Sequence, residues 1–187
     1  MTGQPTLRHR LRADLRDSHG QLDAIVSQFD LCRIDGLTAF LSMHAMALDV
    51  MDVSDGVLST ETLIGAMRDR AVQDLRRVDA PVAAGPPLPP IQVHHLSIEY
   101  VIGGASLGMS VLKERWAQSP QPTVRAMNAY FSASFPRDVW SSFCKRARQI
   151  GADDPLSDTV VSDAGAIFDR YIACALASAG QEVLEHA

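Results

Sequence analysis

His19 is the residue in this chain whose type and place could do the most chemistry. It falls four residues after Leu15 and three before Leu22, so on a helix it shares their apolar face. A histidine there points into the core or a pocket, not into water. Two roles fit. One is a core histidine satisfied by a backbone carbonyl. The other is an iron ligand, since a neutral imidazole binds metal through one nitrogen when the other is oriented by a hydrogen bond. Arg8, Arg12 and Arg16 form a stripe one position over. It reads either as a solvated face or as a clamp for a carboxylate-bearing ligand whose apolar body enters beside His19.

A second feature is Tyr100–Met109, YVIGGASLGM, where Gly103, Gly104 and Gly108 interrupt an otherwise helical pattern. Each interior glycine costs roughly 1 kcal/mol relative to alanine, so three call for a compensating reason. Close packing against another helix is one. The other is a bent helix that brings bare backbone against a flat ligand such as a planar macrocycle.

Other clusters are less specific. His94 and His95 open a helix, and adjacent helical residues point roughly 100° apart, so the pair reads as surface or helix-terminal rather than as a shared metal site. His44 lies near Met43 and Met46 and reads as core. Asp49, Asp52 and Asp55 read as a solvated acidic run, without the glycine and terminal glutamate of a calcium loop. Glu61, Glu99, His44 and His95 show no ExxH pairing of the di-iron kind. No GxSxG, P-loop or dinucleotide fingerprint occurs.

The elements that must position these residues are helical nearly throughout. Leu7, Leu11, Leu15, Leu22, Ile25 or Val26, and Phe29 mark one apolar face of a first helix. A second helix covers Leu37 to Val50. A third begins near Ser59–Glu61 and carries Leu63, Met67, Ala71 and Leu75. It ends before 80–90, a connector whose five prolines cannot propagate a helix. A fourth runs from about Val93 to Trp116, and a fifth from Thr123 to Ser134. Pro136 starts a sixth. Asp154–Pro155 supplies the cap and first residue of a long last helix. With no sustained period-two alternation, no sheet is expected. The expected fold is all-α, one domain over 1–187 of roughly seven helices.

Composition agrees. The 187 residues are 47% apolar and 21% charged with a net charge of -5, which offers no basic face for nucleic acid. Cys32, Cys144 and Cys174 are an odd set without CxxC spacing, as expected of reduced thiols in a cytoplasmic protein. No stretch approaches the ~20 apolar residues of a membrane span, and 1–17 lacks the apolar run of a signal peptide.

The segment Leu11–Asp23, LRADLRDSHGQLD, resembles the proximal-helix signature of bacterial heme oxygenases. Tyr100–Leu112, YVIGGASLGMSVL, resembles their distal-helix pattern, roughly YVLEGSxLGG. The order and separation of the two segments match as well, and Phe131, Trp140 and Phe143 match more loosely. The likeness is greatest to the biliverdin-producing enzymes that accompany bacteriophytochromes. It implies a multi-helix bundle holding heme between a proximal and a kinked distal helix.

The resemblance further implies His19 as proximal iron ligand, with Gly104 and Gly108 packing over the porphyrin. Tyr100 would lie in the same pocket. Arg12, Arg16, Lys145, Arg146 and Arg148 would be candidates for the propionates. Heme would be both substrate and prosthetic group, cleaved with O2 to biliverdin, CO and Fe2+. Electrons would come from a separate reductase or ferredoxin, and a bacteriophytochrome could accept the bilin. The chain departs from the pattern at Gly103, usually glutamate, at Ala105, usually serine, and at Met109, usually glycine. Ala105 removes a hydroxyl that could order distal water, and Met109 puts a long side chain where the family keeps bare backbone. These departures leave open a non-catalytic heme or tetrapyrrole binder acting as sensor, carrier or sequestering protein.

Overall fold

The computed structural model describes residues 4–49, 51–83, 85–132 and 137–184. Among them the chain forms α1 (Leu7–Asp14), α2 (Arg16–Val26), α3 (Ile34–Asp49), β1 (Met51–Val53), α4 (Leu58–Arg76), β2 (Ile91–Val93), α5 (His95–Ala105), α6 (Met109–Ala117), α7 (Pro122–Ala126), α8 (Ala129–Ser132), α9 (Arg137–Ala147) and α10 (Pro155–Leu184). The protein is mostly helical, as the periodicity requires. None of its described helices is long and apolar enough to cross a membrane.

The last helix organises the rest. Asp154 Oδ1 accepts from Leu156 N at 2.9 Å, and Pro155 follows as the first helical residue, where a missing N–H costs nothing. Val160, Ala164, Ile167, Phe168, Tyr171 and Ala175, spaced by three and four, are all buried and form one face. That face packs against α3, α2 and α5. The central α3 is buried almost all round, as expected of a helix with little polar surface. Its Gly36 is required by contact: a Cβ there would lie 2.5 Å from the Asp30 carbonyl oxygen.

Three expected helices are divided. The first breaks at Leu15 (φ -105°, ψ 10°), so that α1 lies against α9 and α10 while α2 runs along α10. Arg10 anchors α1 by donating to the Ala152 carbonyl at 2.9 Å and to Asp158 at 2.5 Å. The fourth breaks at 106–108, as described below. The fifth becomes α7 and α8 because Met127 leaves helical geometry (ψ 74°). Buried Asp74 of α4 then accepts from Ala129 N and Tyr130 N at 3.0 and 2.9 Å, meeting two donors at the start of α8. Ser134 and Pro136 lie outside the described residues.

The expectation of no sheet is overturned. β1 and β2 pair in parallel, Met51 with Ile91 and Val53 with Val93. Three residues per strand are too few to show an alternating pattern. The proline connector before β2 is fastened to the helices: Ala83 N donates to Ser42 Oγ at 3.3 Å, and buried Arg170 donates to the Pro89 carbonyl.

Candidate functional site

A cavity of about 670 Å³ opens between α2, α3, the α5–α6 break, α8 and α10. Its size suits a large organic ligand. The walls are mainly apolar, including Leu22, Val26, Met43, Leu112 and Phe168. His19, Tyr100, Gly104, Ala105, Gly108 and Met109 all line it. Two sequence segments some eighty residues apart thus meet across one space.

His19 stands on the second turn of α2. Its ring meets the edge of Phe168 at a centroid distance of 5.8 Å. Its Nδ1 lies 3.0 Å from Asp23 Oδ2, one turn on. A neutral imidazole that donates Nδ1–H to that carboxylate keeps the Nε2 lone pair for a metal or a proton. Against expectation the side chain is 57% exposed. The break at Leu15 carries α2 to the mouth of the cavity, so His19 stands at the edge of the core, not within it.

The glycine run ends one helix and begins another. After α5, Leu107 N donates to the Gly104 carbonyl and Gly108 N to the Ala105 carbonyl, each at 3.1 Å. This is the tighter i→i+3 pattern of a local 3₁₀ turn. The Ser106 hydroxyl donates back to the Gly103 carbonyl at 2.5 Å, competing with the backbone ladder as mid-helix serines do. Gly103 is buried against Trp140, and a Cβ on Gly103 or Gly104 would meet that ring at 3.5 Å. That is ordinary contact, so packing on α9 does not by itself demand glycine. Gly108 is exposed, with no atom nearer than 3.7 Å to an added Cβ. Leu107, 65% exposed, and Val111, 51% exposed, leave this rim apolar and uncovered.

The cavity floor holds polar groups that periodicity did not single out. His44 is buried against Phe40, Tyr130 and Tyr171 at centroid distances of 4.7, 4.9 and 5.4 Å. Burial lowers its pKa to about 3, so it is neutral near pH 7. Its Nδ1 lies 3.3 Å from the Tyr171 hydroxyl. Burial pushes both tyrosines well above the ordinary phenol range, which keeps them as O–H donors. The Tyr130 hydroxyl is buried and finds no hydrogen-bond partner among the described residues. Such a group is costly unless something polar reaches it. Apolar spacing places His44 and Tyr171 in the core but says nothing of the space they face.

Basic residues divide between rim and elsewhere. Arg12 is exposed and lies close enough to the Tyr100 hydroxyl to oppose the upward push of burial on that phenol. The hydroxyl itself donates to the Leu11 carbonyl at 3.4 Å. Arg115 of α6 lines the cavity, a basic residue the sequence reasoning missed. Arg16 is exposed on α2 outside the lining. Lys145 and Arg146 of α9 and Arg148 just after it also do not line it, and Arg146 is taken up by an ion pair with buried Glu99.

His94 and His95 stand at the start of α5, as expected, but their rings do not point apart. His94 is not helical: it caps α5 with extended backbone (φ -65°, ψ 140°) and accepts from Leu96 N through Nδ1. The 100° spacing of helical neighbours therefore does not apply. Both rings turn to one carboxylate oxygen, Asp55 Oδ2, with His94 Nε2 at 3.3 Å and His95 Nδ1 in hydrogen-bond contact. Asp55, expected to be merely solvated, is thus paired. No family model, curated protein or solved structure matches this chain.

Proposed function

We propose that the chain binds heme in the apolar cavity through His19 Nε2. It would degrade that heme, with O2 and externally supplied electrons, to biliverdin, CO and Fe2+. One observation supports the reading: an imidazole with Asp23 Oδ2 3.0 Å from its Nδ1 stands at the mouth of a cavity of about 670 Å³ that the glycine-bearing break at 104–108 also lines.

The residues fit that substrate by type. Apolar walls take a macrocycle out of water. Gly104 and Gly108 offer backbone where side chains would stand off a flat ring. Arg115, which lines the cavity, and Arg12, near Tyr100 but outside the lining, would offer cations to propionates. Heme itself would supply the redox chemistry, with iron as the centre where oxygen is reduced. The chain's own part is to ligate, to orient and to keep water out. Asp23 Oδ2, 3.0 Å from His19 Nδ1, would favour the tautomer that leaves Nε2 bare. Tyr130 supplies an unpartnered O–H donor deep in the pocket. Electrons would arrive from a reductase or ferredoxin, and the bilin could pass to a bacteriophytochrome.

A second reading, heme or tetrapyrrole binding without turnover, is favoured by one feature of the break. Ala105 carries no hydroxyl, and the neighbouring Ser106 hydroxyl is spent on the Gly103 carbonyl.

Hemin titration of the wild type and of His19→Ala, followed by reductant and oxygen, tests both. The expected result is one heme per chain, altered ligation in the variant, and loss of the Soret band as biliverdin absorbance rises. Heme bound through His19 that survives reduction in oxygen would select the binder. Absence of saturable heme binding would remove both readings.

A further inference from the structure

We propose that Asp55, His94 and His95 form a binding site for a divalent transition-metal ion, separate from the apolar cavity. The proposal does not rest on heme binding. One ligand atom from each residue lies within 4.8 Å of the other two, and Asp55 Oδ2 meets both His94 Nε2, at 3.3 Å, and His95 Nδ1.

The backbone builds this corner. Parallel pairing of β1 with β2 aligns Val53 with Val93, and Ser54 N donates to the Val93 carbonyl at 2.9 Å. Asp55 therefore leaves one strand end where His94 and His95 leave the other. Gly56, with φ +64°, turns the chain away in the left-handed region that suits glycine. The backbone N–H of His94 is fixed by Asp163 Oδ2 at 2.8 Å.

Geometry and charge both suit a small cation. Metal bonds of about 2.0–2.1 Å in a tetrahedral shell set neighbouring ligand atoms about 3.3 Å apart. The His94 Nε2–Asp55 Oδ2 separation, 3.3 Å, already has that value. The His95 contact needs to open by a side-chain rotation. Two imidazoles and one carboxylate, with positions left for water, are a donor set for zinc, iron, cobalt or nickel rather than for calcium. The carboxylates of Asp55, Asp163 and Glu99 lie near His94. A cation at the start of α5 meets the unfavourable end of that helix, and those three carboxylates offset it.

Loading the site costs two hydrogen bonds, the Leu96 cap on His94 and the His95–Asp55 bond, the second of which is replaced by metal bonds to both groups. His94 Nδ1 accepts from Leu96 N at 3.1 Å, so the proton of the neutral ring sits on Nε2. Ionised Asp55 can only accept, so His95 carries its proton on Nδ1. Metal binding moves the His94 proton to Nδ1 and the His95 proton to Nε2. Both rings stay neutral, and the Leu96 cap is given up. A cap is worth roughly fivefold in an equilibrium constant, small beside the affinity of a three-ligand chelate.

The test is a Co(II) titration of the EDTA-treated full-length chain, without heme, read by d–d absorption and followed by Zn(II) competition. The wild type and His19→Ala should bind one equivalent alike. Asp55→Asn and His95→Gln, shown folded by circular dichroism, should bind at least tenfold more weakly. Hydrogen exchange at the Leu96 amide should quicken in the loaded protein, a change that surface binding elsewhere would not cause. Equal binding by the folded variants, an unchanged Leu96 amide, or no saturable binding below millimolar metal would each overturn the proposal.

Discussion

The apolar cavity and the Asp55–His94–His95 corner are assembled by opposite means. The cavity is a gap among helices whose walls are set by apolar faces, with a few polar groups, His19 at the mouth and His44, Tyr130 and Tyr171 at the floor. The corner has almost no apolar content, and a pair of three-residue strands brings it together. A cavity of the first kind tolerates small shifts because apolar contact is non-directional. A corner of the second kind depends on directional contacts to one oxygen atom. The same chain thus offers a broad hydrophobic site and a narrow polar one, and each should fail under different changes.

The largest separation of the two should come from Asp74→Ala. It strips partners from the Ala129 and Tyr130 backbone donors, at about 1–3 kcal/mol for each buried group left unmet. Urea unfolding should show a loss of about 4 kcal/mol, while Co(II) binding at the corner in native buffer stays unchanged. A loss under 1 kcal/mol would mean that α8 does not depend on Asp74.

Acid should act next, and on the floor. The unfolded chain protonates His44 near its ordinary value of 6.5, whereas the folded protein keeps it neutral to about pH 3. Unfolded molecules therefore bind more protons in that window. Its contribution to stability is full above pH 6.5 and falls by about 1.4 kcal/mol per pH unit down to about pH 3. His44→Leu should flatten that limb of the stability curve; an identical acid limb would show that other groups set it.

Gly104→Ala gives a smaller and two-sided effect. A Cβ meets only ordinary contact with Trp140 and removes a helix penalty of up to about 1 kcal/mol, so stability should hold or rise. Hemin affinity should fall if bare backbone is what the ring meets. Equal affinity would return the glycine to a plain packing role. Smallest of all, Arg115→Ala should weaken hemin binding a few-fold, in line with ~1 kcal/mol for a partly exposed charge pair. Lys145→Ala and Arg148→Ala should not, as neither lines the cavity.

What could be read in the sequence follows the range of the forces involved. The leucines of the first helix, the α4 face and the Asp154–Pro155 start of α10 are local signals, and all appear where spacing puts them. The break at Leu15 left no such signal, because helix–helix packing against α9 and α10 decides it. His19, Gly104 and Gly108 reach one cavity, yet spacing alone left each with two roles. Tyr130, Tyr171 and Arg115 carry no signal of their own in the sequence, since which residue faces a space depends on several helices at once. His94 and His95 do stand at a helix start, but the 100° rule for helical neighbours does not reach them, because His94 is a capping residue with extended backbone.

The strand pair has a consequence for time as well as for place. Met51 meets Ile91 across 40 positions of chain, and closing a free loop of that length costs about 3 kcal/mol before any contact is made. Six strand residues cannot supply that early in folding. The pair must form after α4 has docked on α3 and shortened the effective loop. An ion bound at the end of the Ser54–Val93 bond would then act as a late fastener, slowing local opening there.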